Sequence, residues 1–473
     1  MTSKSICFAA AFALFAAPVA AQQADPLALV EARDAETERV ARQIWEWAEL
    51  GYREHRSSAL LADELARAGF SVTRGVAEIP TAFMAEWGEG GPVIAILGEF
   101  DALPGISQDA TPDRKVIEGK HSAHACGHNL FAAGSLSAAL AVRDWLAASG
   151  TPGRIRFYGT PAEEGGSGKV YMVRAGLFDD VDFTLHWHAA DENSAAARTS
   201  LANRSAKFRF YGQSAHAAGA PEQGRSALDG VEAMNFMVNM MREHTSMDSR
   251  IHYVITQGGA APNIVPDFAE VFYYVRHSRT EEVEALWQRL EAAAQGAAMG
   301  TGTRVEWEVI HGNNPLLVNE TLAMMMDAKL RSIGGLEYSV EERAFAVQLA
   351  KTLADARPLE SAEEIQPYRK SLGYGSTDVG DVSWATPTVG IRTAAWIPGT
   401  PAHSWQSASA SGMSIGFKGA QLAARALTLG AVELYTNSEL REAAKAEFDA
   451  ARGPDYRYKS LLGDRDPPLD YRD

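Results

Sequence analysis

Cysteine is nearly missing from this chain: among 473 residues there are two, Cys7 and Cys126. Cys7 lies in an apolar leader, so the mature protein keeps Cys126 alone and has no intrachain disulfide. Positive charge is also scarce. The 44 Lys and Arg against 60 Asp and Glu leave a net charge of −16, which argues against a nucleic-acid partner held by its phosphates. It does not identify a substrate, because the field inside a cleft can oppose the global charge. Long apolar runs are lacking except at residues 6–17, which follow Lys4. That run is too short to span a bilayer and leads into Val19-Ala20-Ala21, small residues suited to a cleavage site. Residues 1–21 therefore read as a signal peptide cut near Gln22. The expected destination is a bacterial periplasm or the exterior, with no membrane attachment afterwards. Internal repeats and low-complexity segments are absent. The 46% hydrophobic and 22% charged residues describe a soluble globular protein, long enough for more than one domain.

Helical spacing over residues 25–70, with Ile44, Trp45 and Ala48 and then Leu60, Leu61 and Leu65, predicts two helices ending at Gly69. Strands follow at 81–87 and 92–97, the second running into Gly98-Glu99-Phe100-Asp101. Asn129 is placed to cap a helix to about residue 148. A strand at 154–159, a helix at 170–175 and a strand at 181–188 come next. Strands alternating with helices indicate an α/β, doubly wound sheet whose ligands sit at strand carboxyl ends. Asp101, Glu163, Glu164 and His188 all fall at such ends. From about residue 205 the order becomes strand 207–211, helix 228–242, strands 251–256 and 268–276, helix 281–299 and strand 303–310. That β-α-β-β-α-β order is ferredoxin-like. The expected organisation is a catalytic domain in two parts, 22–204 and 313–440. An α+β lid or dimerisation domain at 205–312 interrupts it, and a polar tail at 441–473 wraps the surface. A further strand is expected at 387–392, and residues 339–372 read as helical and charged.

The chemistry concentrates at His124-Ala125-Cys126-Gly127-His128-Asn129, followed 34 residues later by Glu163-Glu164. Cys126 and His128 are two apart, so an extended segment would project both to one face. A thiolate and an imidazole suit a borderline-soft divalent metal such as zinc. Metal ligation would also occupy a lone cysteine that is otherwise a liability in an oxidising compartment. Adjacent glutamates at a strand end point in opposite directions, so one can bind metal while the other handles a proton. His186, His188 and His403 are further candidate ligands. This is the minimum equipment of a metallohydrolase. A cysteine hydrolase would leave the glutamate pair and the dispersed histidines without a role. A non-catalytic binding protein would be expected to have lost the base or a ligand.

The segments WEWAELGY (45–52), GEFDALPG (98–105), HACGHN (124–129), TPAEEGG (160–166), GQSAHAAGAPEQGRSAL (212–228), PNIVP (262–266), GSTDVGDVSW (375–384) and PAHSW (401–405) occur in this order. Together they resemble the di-metal aminoacylase/carboxypeptidase metallopeptidases, in the amidohydrolase branch with a cysteine metal ligand. The resemblance covers nearly the whole mature chain. It implies two divalent ions, zinc or manganese, held by Cys126, His128, Glu164, His188 and His403. His188 is chosen over His186 because the ligand follows a glycine-leucine segment by twelve residues, counted here from Gly176. His186 is then a neighbouring-site residue. Where the wider family has a histidine in G-H-x-D, this chain has Glu99. Glu99 could replace it, and Asp101 is implied as a catalytic-site carboxylate orienting a ligand's outer nitrogen or serving the second metal. Glu163 aligns with the general base. His216 resembles a residue that reaches across a dimer to the neighbouring oxyanion. Asn263 and Arg276 resemble those holding a substrate's terminal carboxylate, a task suited to bidentate arginine. The implied partners are an N-acyl or N-aroyl amino acid, with p-aminobenzoyl-glutamate foremost, and a second copy of the chain or a related protein. Dipeptides and other acylated amino acids are the alternative substrates.

Overall fold

The computed structural model describes residues 24–195 and 197–472. The expected signal peptide lies outside the described residues. The larger unit is built on a seven-stranded sheet in the order Ser71–Arg74, Phe83–Glu89, Gly153–Thr160, Val93–Glu99, Phe183–Ala190, Thr388–Ala394, Ser194–Ala195. Its four central strands run parallel, from Gly153–Thr160 through Thr388–Ala394. The flanking strands are antiparallel, so the sheet is mixed. Val93–Glu99 is buried along its whole length, as a parallel strand covered on both faces must be. The helix His128–Ser149 packs on the sheet and against the helix Ser414–Thr436. Its length and apolarity would allow it to cross a membrane, but here it lies mostly buried in the core.

The second sheet has four antiparallel strands in the order Arg250–Gln257, Phe268–His277, Ala202–Tyr211, Arg304–Asn313. With the helices Ala227–Met241 and Thr280–Thr301 it forms the ferredoxin-like β-α-β-β-α-β unit and holds its own apolar core around Phe208, Trp287 and Tyr273. The α/β fold with an interrupting α+β unit is as expected.

Several local expectations differ. The first segment forms three helices, Pro26–Glu31, Asp34–Trp47 and His55–Arg67, and an unexpected edge strand follows at Ser71–Arg74. Helix His128–Ser149 is preceded by Gly127 at its N-cap, not Asn129. The Asn129 amide instead donates to Ala41 O and Ser411 O, 3.1 and 3.0 Å away. Residues 339–372 are not one helix. A helix at Val340–Ala350 gives way to a short turn at Glu360–Glu363 and a strand at Lys370–Leu372, because Pro358 and Pro367 lack the amide proton that a continuing helix needs. The tail is more than a surface wrap. It continues as the helix Ser438–Arg452, then inserts Leu461 into the core of the smaller unit and Leu462 into that of the larger.

Candidate metal centre and active site

The carboxyl ends of the four parallel strands deliver the candidate residues to one cavity of about 230 Å³. Cys126, Glu163, Glu164, His188 and His403 line it, together with Glu99 and His186. The Cys126-Gly127-His128 segment is a turn leading into a helix, not the extended strand its spacing suggested. Gly127 has φ of 76°, and a Cβ there would sit 2.6 Å from that of Ala189, so only glycine fits between the two ligand-bearing residues. The carbonyl of Ala125 accepts from His403 N at 2.9 Å and from Ser407 Oγ at 2.7 Å. That pair of bonds places His403 beside Cys126.

Three groups of ligand atoms lie within 4.8 Å of one another: Cys126/His128/His188, Cys126/Glu164/His403 and Glu99/His128/Glu163. Cys126 is shared by the first two and His128 by the first and third. Cys126 Sγ lies 3.5 Å from His188 Nε2, and His403 Nε2 lies 3.2 Å from Glu164 Oε1. The outer nitrogens are committed elsewhere. His128 Nδ1 donates to Asp101 Oδ1 at 2.9 Å and His188 Nδ1 donates to Ala189 O at 2.7 Å. Each ring therefore turns Nε2 toward the cluster, the arrangement by which a ligand's outer bond fixes its tautomer. Three buried donor atoms have no hydrogen-bond partner among the described residues: His128 Nε2, Glu99 Oε2 and Glu164 Oε1. Buried polar atoms are seldom left so, and divalent cations would satisfy all three. The donor set fits a metal centre.

Both glutamates of the pair face the same cavity, so they do not simply point apart. Instead they join different groups, Glu163 with Glu99 and His128, and Glu164 with Cys126 and His403. Their turn is tied down at several points. Asp101 Oδ2 accepts from Glu164 N at 2.8 Å, Glu54 Oε1 accepts from Ala162 N at 2.9 Å, and Tyr52 OH donates to Gly166 O at 2.6 Å. Arg472, from the tail, donates to Glu164 O. Asp101 thus orients both a candidate ligand ring and the glutamate turn. Asp101→Asn should lower metal affinity or turnover by about 10–100-fold, read by competitive metal titration; wild-type affinity and turnover together would contradict this role.

Burial, then the negative charges of Glu99 and Glu164, hold the Glu163 carboxyl well above the usual range. Burial also pushes the Cys126 thiol up, with Glu164 adding to it. Both groups therefore hold their protons until positive charge enters the cluster. His186 lines the same cavity, but burial drops its pKa to about 3 and its ring stacks on Phe131 at 6.5 Å. It joins none of the three groups.

Sequence reasoning missed the salt-bridged support beneath the cluster. Lys169 is fully buried, with Nζ 2.7 Å from Glu99 Oε1 and 2.7 Å from Asp378 Oδ1. Burial opposes its charge, but Asp378 and Glu99 outweigh that and raise its pKa. Glu99 therefore bridges Lys169 on one side and His128 Nε2, at 3.1 Å, on the other. Asp378 lies inside the GSTDVGDVSW segment, which was the available signal; Lys169 offered none. Three expected residues are not at the cluster. His216 and Asn263 are exposed on the smaller unit, near each other through the bond from Ala217 N to Asn263 O. Arg276 lines a different cavity with Arg250, His252 and Tyr374.

The profile of Peptidase family M20/M25/M40 matches residues 95–427. The chain is 40% identical to one of the subunits of the p-aminobenzoyl-glutamate hydrolase of Escherichia coli strain K12, over 86% of this chain and 91% of that protein. The chain belongs to peptidase family M20/M25/M40. As a member of M20 it is a metallohydrolase acting on amide bonds. It is also 31% identical to the Xaa-Arg dipeptidase of Mus musculus, over 86% of this chain and 88% of that one. Among solved structures, a dinuclear metal-binding M20 peptidase of Bacillus subtilis shares the fold, with a TM-score of 0.58 and 17% identity over 86% of this chain and 99% of that chain. The M20 match spans every member of the three ligand groups.

Proposed function

We propose that this chain is an exported M20 amidohydrolase that binds two divalent ions, zinc or manganese, and cleaves N-acyl or N-aroyl amino acids. p-Aminobenzoyl-glutamate is the foremost substrate, the compound named for the 40%-identical relative. The observation that carries the reading is the pair of ligand groups sharing Cys126, with Glu163 in a third group beside them. Cys126, His128 and His188 would form one side of the centre, and Glu164 and His403 the other. When bound, the ions supply Lewis acidity and bring a water's pKa toward neutrality. Glu163 takes the water's proton on a carboxylate oxygen and hands it to the leaving nitrogen. Asp101 holds the His128 ring and the glutamate turn in place throughout. Closure of the smaller unit, or a neighbouring copy, brings His216, Asn263 and Arg276 to the substrate.

A homodimer formed through the smaller unit accounts for its exposed apolar side chains. Phe236 and Met240 on the helix Ala227–Met241 are exposed, as are Val254 and Ile255 on the edge strand Arg250–Gln257. Pairing with a related but different chain is the other arrangement, since the 40%-identical relative is itself one of two similar subunits of its hydrolase. The leader at residues 1–21 supports periplasmic or secreted placement.

The test is release of glutamate from p-aminobenzoyl-glutamate by the purified mature protein, alongside metal content and light scattering. Chelator-sensitive release by a species of twice the chain mass is expected. A metal-loaded protein that leaves this compound intact but cleaves dipeptides would move the assignment to a dipeptidase.

A further inference from the structure

The metal cavity holds two guanidinium groups that the reaction does not use. Arg392 sits on the strand Thr388–Ala394, directly opposite His188 in the parallel register. Gly390 is likewise opposite His186, so His186, His188 and Arg392 share one face of the sheet. Neighbouring strands lie about 4.7–4.9 Å apart, which puts Arg392 beside the candidate ligands. Arg198, from the short strand Ala197–Thr199, lines the same cavity. A Cβ on Gly373 would come within 2.8 Å of Arg198 Nε, so this glycine leaves the room the guanidinium occupies.

Neither arginine has a hydrogen-bond or ion-pair partner among the described residues. The nearby carboxylates are engaged elsewhere. Asp191 pairs with Arg357 and accepts from Gly399 N at 2.9 Å, and Glu192 lies 3.3 Å from Arg369. Burial, followed by the like charge of Arg198, lowers the pKa of Arg392. Two like charges set together on a cavity wall without a counterion are stabilised by an anion that arrives with the ligand.

We infer that Arg392 and Arg198 form a subsite for a second carboxylate of the substrate, the side-chain carboxylate of an acidic amino acid. The inference rests on the amidohydrolase reading and narrows its substrate class to N-acyl derivatives of glutamate and aspartate. The α-carboxylate would fall to Arg276 and Asn263, which lie on the other unit. The same pair disfavours a cationic leaving residue, setting this cavity apart from one that takes a carboxyl-terminal arginine.

The experiment compares kcat/KM for p-aminobenzoyl-glutamate and its neutral isostere p-aminobenzoyl-glutamine. Wild-type protein, Arg392→Gln, Arg392→Lys and Arg198→Gln are assayed, each with its metal content measured. Wild type should prefer the glutamate compound by about 10–100-fold, the worth of charge-assisted hydrogen bonds to a carboxylate. In Arg392→Gln the loss should fall on the glutamate compound and bring the ratio toward one, with Arg392→Lys restoring part of it. A ratio that stays at the wild-type value overturns the proposal. Equal loss on both compounds also overturns it, because Arg392 would then act only by balancing charge at Cys126. If wild type cleaves neither compound, the amidohydrolase reading fails for aroyl substrates, and calorimetric binding of glutarate to the metal-loaded protein decides the subsite. Glutarate should then bind about tenfold or more weakly to Arg392→Gln; equal binding overturns the subsite.

Discussion

Glu163→Gln should lower kcat by about 10²–10⁴-fold on whichever amide the protein cleaves. The substitution keeps the side chain's shape and one oxygen but removes its ability to take a proton. Glu163 faces the cavity beside Glu99 and His128, in a group distinct from that of Glu164, so the loss should appear in turnover and leave the two-metal content near wild type. Glu164→Gln should behave in the opposite order. Its Oε1 is a buried donor atom with no hydrogen-bond partner among the described residues, and it groups with Cys126 and His403. Metal content should fall first there, with activity following it. Elemental analysis beside steady-state kinetics on both variants separates the two roles. Wild-type kcat in Glu163→Gln would remove it from the chemistry.

Lys169→Met should destabilise the fold by about 3–5 kcal/mol, the cost of breaking a buried charge network by removing one partner. Glu99 and Asp378, each 2.7 Å from the Lys169 ammonium, would be left as buried carboxylates without their cation. Because Glu99 also faces His128 Nε2 at 3.1 Å, the damage should extend to metal affinity. Urea unfolding of the metal-free protein measures the first effect, so that metal binding does not obscure it. Adding Asp378→Asn to Lys169→Met should recover part of the loss, since one of the two unpaired charges disappears; the residues touch, so their effects should not add. An unchanged midpoint in Lys169→Met would show that the network carries no net stabilisation.

The sequence made the strand ends legible because each parallel strand is an apolar run followed at once by chemistry-bearing residues. Glu99 and Asp101 follow one such run, Glu163 and Glu164 another, and His188 ends a third. The ferredoxin-like unit was legible for a similar reason, its strands and helices each showing their own period. What sequence could not show are the partners that meet only on folding. Lys169 and Asp378 are 209 residues apart, and Glu54 reaches Ala162 across 108 residues to pin the glutamate turn. Asn129 has the right local context for a cap. Its amide goes instead to Ala41 and Ser411, carbonyls that no local pattern could reveal. Arg392 sits on a strand where an arginine usually means an ion pair, and only the three-dimensional surroundings show that its counterion is missing. The polar composition of the tail hid the two leucines that join the cores of both units.

The most direct test of the account is the cleavage of p-aminobenzoyl-glutamate by the mature protein before chelation, after chelation and after metal is restored, with metal content measured at each stage. The account predicts two equivalents of divalent metal, loss of cleavage when they are removed and its return when zinc or manganese is added back. Full cleavage by protein shown to be free of metal would contradict it.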